Sequence, residues 1–144
     1  MKTDYIDYEH ICFPRFEDMD SYGILHHSRY LLLIEEAKLA FMQNPEYFGR
    51  NVLEEDVKFL ISEIQITYVN AIKYKVGVPA VVKLRFGIEE DIKIVFEFQI
   101  YYENKLACKG KAIHIATDQN NHIKLELPDG LVERYEILKG GNKW

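Results

Sequence analysis

The chain has 144 residues, of which 48% are hydrophobic, a size and composition that usually build one domain on one core. Its 18 basic and 23 acidic residues leave a formal charge of -5, so the overall balance argues against non-specific binding to nucleic acid or to an anionic membrane surface. Only two cysteines occur, Cys12 and Cys108, far apart and without CxxC spacing, which indicates free buried thiols rather than a disulfide framework or a thiolate zinc site.

The first ten residues, MKTDYIDYEH, carry acids where a secretory segment would be apolar. No run approaches the roughly 18 apolar residues of a membrane span, so a reduced, cytoplasmic protein is expected. No repeat or linker interrupts the chain before the tail GGNKW, and residues 1–144 are read as a single domain.

Residues 5–16, YIDYEHICFPRF, are rich in β-branched and aromatic side chains, and Pro14 suits an edge better than a central strand. From Ser28 to about Met42 the sequence is dense in helix formers, with Ser28 placed to act as N-cap. Tyr30, Leu33, Ile34, Ala37 and Phe41 fall on one helical face, and Leu31, Leu32 and Leu39 widen the apolar surface, so the helix is expected to be largely wrapped. Asn44-Pro45 ends it.

The period then changes to that of strands. Residues 57–69 place Leu60, Ser62, Ile64, Ile66 and Tyr68 on one side and Phe59, Ile61, Glu63, Gln65 and Thr67 on the other. VPAVVKLRFGIEE follows, and then DIKIVFEFQIYYE, where Ile92, Ile94, Phe96, Phe98, Ile100 and Tyr102 alternate with Lys93, Val95, Glu97, Gln99 and Tyr101. Glu103-Asn104-Lys105 marks a hairpin-like break before LACKGKAIHIAT, and a short helix is expected after Pro128. Four consecutive strands pair most simply as antiparallel hairpins and meanders, giving an α+β fold in which the sheet wraps the one long helix. The ten tyrosines and eight phenylalanines suggest that part of the sheet is buried in an oligomer.

The stretch DMDSYGILHH, residues 18–27, concentrates titratable groups just before the helix. Asp18 and Asp20 face the same way only where the backbone stays extended. They lack a ligand set for a metal, and a backbone-bonded turn is the ordinary role for Asp18. Gly23 supplies a turn conformation barred to bulkier residues, or lets a ligand approach closely. His26 and His27 are adjacent, so their side chains are expected to diverge, with at most one entering a given pocket.

Unpaired N–H groups and the helix dipole favour negative charge at a helix start, so a carbonyl oxygen becoming an oxyanion would be stabilised there. A carboxylate just upstream would activate water or attack directly. Together these pieces fit hydrolysis of an activated acyl group.

The segment FEDMDSYGILHHSRYLLLIEEAK resembles the opening of hotdog-fold acyl-CoA thioesterases related to 4-hydroxybenzoyl-CoA thioesterase. Their pattern D-x-D-x-x-G-[IV]-[VL]-x-[HY]-x-x-Y is met by Asp18, Asp20, Gly23, Ile24, Leu25, His27 and Tyr30, with Glu35 as the downstream acid. The resemblance implies a hotdog fold, a five-stranded antiparallel sheet around a long helix. It implies Asp20 as the catalytic carboxylate, either general base or nucleophile through a mixed anhydride. It also implies that the backbone N–H near His27 polarises the thioester carbonyl while the His27 side chain positions substrate or water.

Asp18, Tyr30 and Glu35 become supporting residues, with Gly23, Tyr30 and Glu35 assigned to substrate binding; for Glu35 a local ion pair or a solvated helix charge remains open. The implied substrate is an acyl-CoA or acyl-carrier thioester, the implied assembly a homodimer or homotetramer, and neither metal nor cofactor is expected. Lys73, Lys75, Lys83, Arg85, Lys93, Lys109 and Lys111 are candidates for a phosphate-binding patch, none assigned individually.

The chain departs from its relatives at Arg29, at Tyr22, and at Ala71 and Lys75, where many carry proline and then an acid. Arg29 would close the pocket mouth or contact an anionic substrate, and Tyr22 would narrow the acyl pocket. These departures support one alternative, a non-catalytic acyl-binding or assembly protein. A dehydratase acting on 3-hydroxyacyl thioesters is another.

Overall fold

The alternation read along residues 92–102 becomes the inner face of a five-stranded sheet. The computed structural model describes residues 4–49, 57–120, 122–123 and 126–139; the tail GGNKW lies outside them. In chain order the elements are β1 (Ile6–Cys12), α1 (Arg29–Gln43), β2 (Lys58–Tyr68), β3 (Ala80–Glu89), β4 (Lys93–Tyr102), β5 (Lys105–Thr117) and α2 (Asp129–Leu138). Every pairing is antiparallel, in the order β1-β3-β4-β5-β2. No described helix is long and apolar enough to cross a membrane.

Ile94, Phe96, Phe98, Ile100 and Tyr102 of β4 are all buried, as the alternation requires, while Ile92 belongs to the preceding turn, its N–H donating to the Glu89 carbonyl. Glu103 and Asn104 turn β4 into β5 with φ values of 51° and 63°, the left-handed pair that a two-residue hairpin demands. Gly110 in β5 is required by close approach: a Cβ there would lie 2.1 Å from the Gln65 carbonyl oxygen and 2.6 Å from the Phe98 ring. β1 is an edge strand, and Pro14 falls beyond its last residue.

Helix α1 spans 15 residues and buries Tyr30, Leu33, Ile34, Ala37 and Phe41, the face marked by the helical period. It is not fully wrapped. Leu32 and Leu39 are exposed, because one sheet covers only one side of the cylinder. Ser28 occupies the N-cap position without a side-chain capping bond, its hydroxyl being engaged by His26 instead. Helix α2 closes one end of the core, with Tyr135 against Phe86 and its hydroxyl donating to the Asp4 carbonyl.

Two features of β2 differ from the simplest reading. Sequence neighbours β2 and β3 do not form a hairpin; β2 crosses to the far edge beside β5, and β3 pairs with β1. The connecting residues 69–79 are committed elsewhere: the Val69 and Asn70 N–H groups donate to the Ala107 carbonyl, and the Ile72 carbonyl accepts from Leu25 N–H.

The second feature is a bulge at Ser62, where the register passes from Ile61↔His114 to Glu63↔Ile113. It changes the faces. Phe59 and Ile61 now lie opposite Ala116 and His114, on the same side as Ile64, Ile66 and Tyr68 opposite Ala112, Gly110 and Cys108. Thus the helix-facing side of β2 carries Phe59 near one end and Tyr68 at the other.

Candidate active site

Residues 16–30 fold back on themselves before entering α1. Phe16–Asp18 form a single 3-10 turn, Met19 and Leu25 bridge across the loop, and Ile24 bridges to Lys73. Gly23 takes φ 77°, and a Cβ added there would meet no atom within 4 Å, so backbone conformation rather than space selects glycine.

The two aspartates play different parts. Asp18 is 6% exposed, and its carboxylate accepts from Arg15 Nε and Nη2, each at 3.3 Å, with Arg29 Nε 3.8 Å away. Its carbonyl accepts from His26 N–H at 3.0 Å, so Asp18 pins both ends of the loop and occupies Arg29. Asp20 is half-buried, and its Oδ1 accepts from the backbone N–H of Tyr22 at 2.8 Å and of Ile24 at 3.3 Å. Among the described residues no donor reaches Asp20 Oδ2. The carboxylate is therefore oriented through one oxygen while the other stays available.

A cavity of about 220 Å³ is lined by Asp20, Ile24, Leu25, His27, Tyr30, Tyr68, Val69, Asn70 and Ala71. It brings together Asp20, His27 and Tyr30, with Gly23 in the supporting turn. Glu35 is not among its walls; it lies further along α1, bonded to Lys38 at 2.5 Å. Tyr22 is exposed and does not line this cavity.

The histidine rings do not diverge as expected. They stack with centroids 4.1 Å apart and planes 30° apart. Local hydrogen bonds explain this: Ser28 N–H donates to His26 Nδ1 at 3.2 Å, with the Ser28 hydroxyl 2.8 Å from the same nitrogen, and Arg29 N–H donates to the His26 carbonyl. Accepting a backbone N–H fixes His26 in the tautomer protonated at Nε2. Of the pair only His27 lines the cavity, and among the described residues its backbone N–H has no acceptor.

Sequence reasoning placed Tyr68 on a strand face but gave it no role at the site. Its hydroxyl donates to the His27 carbonyl at 2.8 Å, and its ring meets Tyr30 edge-on at 5.0 Å. Tyr30 is buried, and that burial raises its phenol pKa above the ordinary value, with a backbone hydrogen bond from Ile72 opposing the shift. Both phenols therefore stay neutral and polar at neutral pH. Cys12 and Cys108, also buried, are pushed up to about 12 and act as inert packing groups.

Asn70 and Ala71 are shared with a neighbouring cleft of about 370 Å³, lined also by Lys73, Lys75 and Lys105. Lys75 pairs with Glu103 at 2.9 Å. Two of the four departures from the resembled pattern, Ala71 and Lys75, thus lie in this basic cleft beside the Asp20 cavity.

Comparison with known proteins agrees with this architecture. YneP of Bacillus subtilis (strain 168), a candidate acyl-CoA thioesterase, is 25% identical over 108 residues, covering 74% of this chain and 77% of YneP. Among solved structures, the 1,4-dihydroxy-2-naphthoyl-CoA thioesterase Slr0204 from Synechocystis superposes with a TM-score of 0.76 at 15% identity, covering 93% of this chain and 97% of its own. The TT1821 protein from Thermus thermophilus gives 0.78 at 19% identity, covering 90% and 98%. These structural likenesses establish a shared fold. Residues 14–135 match the thioesterase-like superfamily, and the chain belongs to that family.

Proposed function

We propose that the protein is an acyl-CoA thioesterase with a hotdog fold that hydrolyses an acyl thioester to free acid and thiol, with Asp20 as the reacting carboxylate. The observation that carries this reading is the shared cavity of Asp20 and His27, in which one Asp20 oxygen is held and the other has no donor among the described residues. As general base, Asp20 takes a proton from water while the water oxygen attacks the thioester carbon; the C–S bond then breaks and the thiolate leaves. As nucleophile, the same carboxylate attacks the thioester carbon, the C–S bond breaks with departure of the thiolate, and water then cleaves the resulting anhydride to free acid and the regenerated carboxylate.

The His27 N–H, without an acceptor among the described residues and just before the start of α1, serves as donor to the developing oxyanion. The His27 ring positions substrate or water, and Tyr30 forms part of the acyl wall. The lysine-lined cleft adjoining the cavity favours a phosphorylated carrier such as coenzyme A.

The functional unit is a homodimer or homotetramer. Supporting this, β2 is an open edge carrying exposed Leu60, Ile61 and Ile64. Light scattering on the purified protein tests it, and a monomer at working concentration would overturn it.

Turnover of an acyl-CoA panel by wild type and Asp20→Asn, measured side by side, tests the chemistry. Asparagine keeps an oxygen for the two loop amides, so the fold should persist while the rate falls roughly 10²–10⁴-fold. The engagement of Asp20 Oδ1 by its own loop favours a second reading, an acyl-binding protein without catalysis. Tight acyl-CoA binding with no turnover, unaffected by Asp20→Asn, would establish that reading instead.

A further inference from the structure

A second cavity, of about 190 Å³, opens between Leu39 and Met42 of α1 and Phe59, Ile94 and Phe96 of the sheet. It is separate from the Asp20 cavity, since the eight residues from Tyr30 to Lys38 advance the helix by roughly 12 Å. Its remaining walls are Glu35, Lys38 and His114.

Lys38 is 5% exposed, yet Glu35 supplies its only hydrogen bond among the described residues, and its Nζ lies 5.6 Å from the Phe96 ring centroid. An ammonium carries three N–H donors, so two are unmet. His114 is 7% exposed, and among the described residues neither ring nitrogen has a hydrogen-bond partner, although the Phe59 backbone lies near enough to favour the charged ring weakly. Its ring stands edge-on to Phe96 with centroids 5.7 Å apart, so one aromatic side chain touches both polar groups.

Burial first, and the Lys38 charge second, lower the His114 pKa to about 4, leaving a neutral ring with one N–H to donate at pH 7. Buried polar groups rarely remain unpaired in native proteins. The five apolar side chains around them suit a ligand with a hydrocarbon body.

We propose that this cavity binds a small apolar carboxylic acid, its carboxylate accepting from Lys38 and from the His114 ring N–H while its body packs among Phe59, Ile94 and Phe96. Glu35, with 48% of its side chain exposed, can turn into water and release Lys38 to the ligand. The volume is below the roughly 300 Å³ at which drug-sized pockets begin, so the acid is medium-chain or monocyclic. This site does not depend on the hydrolysis reading, because none of its walls belongs to the Asp20 cavity.

Titration of the full chain with octanoate, followed by calorimetry and by the His114 ring resonances, tests the proposal. Saturable binding is expected, with 1-octanol about tenfold or more weaker because it lacks the charge. Lys38→Met should weaken octanoate by a similar factor, while Glu35→Gln should leave it equal or tighter. Leu39→Trp, at an exposed rim position, should block entry while retaining the fold. Asp20→Asn should change nothing. Absence of saturable binding, equal affinity for 1-octanol, or binding lost in Asp20→Asn but kept in Leu39→Trp would overturn the proposal.

Discussion

The two ends of helix α1 handle ionisable groups in opposite ways. At the N-terminal end, Asp18 is met by arginine and Asp20 by backbone amides, so each carboxylate is partnered even though Asp18 is as buried as Lys38. Toward the other end, Lys38 and His114 are almost fully buried, and among the described residues they have one partner between them outside the aromatic ring they share. The contrast separates orientation from desolvation. A carboxylate held through one oxygen is directed by its donors, whereas a buried imidazole with no partner becomes neutral.

The largest expected effect sharpens the first half of that contrast. Asp20→Asn should abolish most turnover while shifting the unfolding midpoint little, a separation of rate from stability that steady-state kinetics and urea melts will reveal together.

The second half can be broken through pH. Exposed imidazole titrates near 6.5, whereas His114 in the folded chain titrates at about 4. Because the folded pKa is the lower, its contribution is fully present above the unfolded value and is lost as pH falls toward 4, on the order of 3 kcal/mol in all. His114→Phe should flatten this part of the stability profile in urea melts taken between those limits. An unchanged slope would mean that the ring is solvated.

Smaller effects concern the loop. Gly23→Ala forces a Cβ into left-handed backbone and should cost about 1 kcal/mol, read as a lower melting temperature with reduced turnover. Tyr68→Phe removes the bond to the His27 carbonyl and should cost about 1 kcal/mol. Its rate should stay within about tenfold of wild type, far above Asp20→Asn.

Much of this was legible in the residues. The helical spacing of Tyr30, Leu33, Ile34, Ala37 and Phe41, and the alternation through β4, depend on local period, and local period survives folding. The grouping of Asp20, His27 and Tyr30 was also anticipated, because all three lie within one turn-to-helix segment. Strand order was not, since β2 reaches its far edge through bonds that residues 69–79 make to distant partners. Tyr68 was missed for the same reason.

The pairing of Lys38 with His114 also escaped, although each carries a signal. Lys38 falls four residues after Ile34 and three before Phe41, on the buried stripe, and His114 alternates with Ala112 and Ala116. A polar residue in phase with the core asks for a partner that no single segment supplies.

The bulge at Ser62 ties the two cavities together by parity. Phe59 is odd and Tyr68 even, and an unbroken strand would send them to opposite faces. One extra residue lets both face the helix, each walling a different cavity. Deleting Ser62 would straighten β2 without disturbing either cavity: it is the one residue of the strand left out of the pairing, so Phe59 would stay opposite Ala116 and Tyr68 opposite Cys108. One further residue inserted into β2 would instead turn one half of the strand outward unless a second bulge absorbed it.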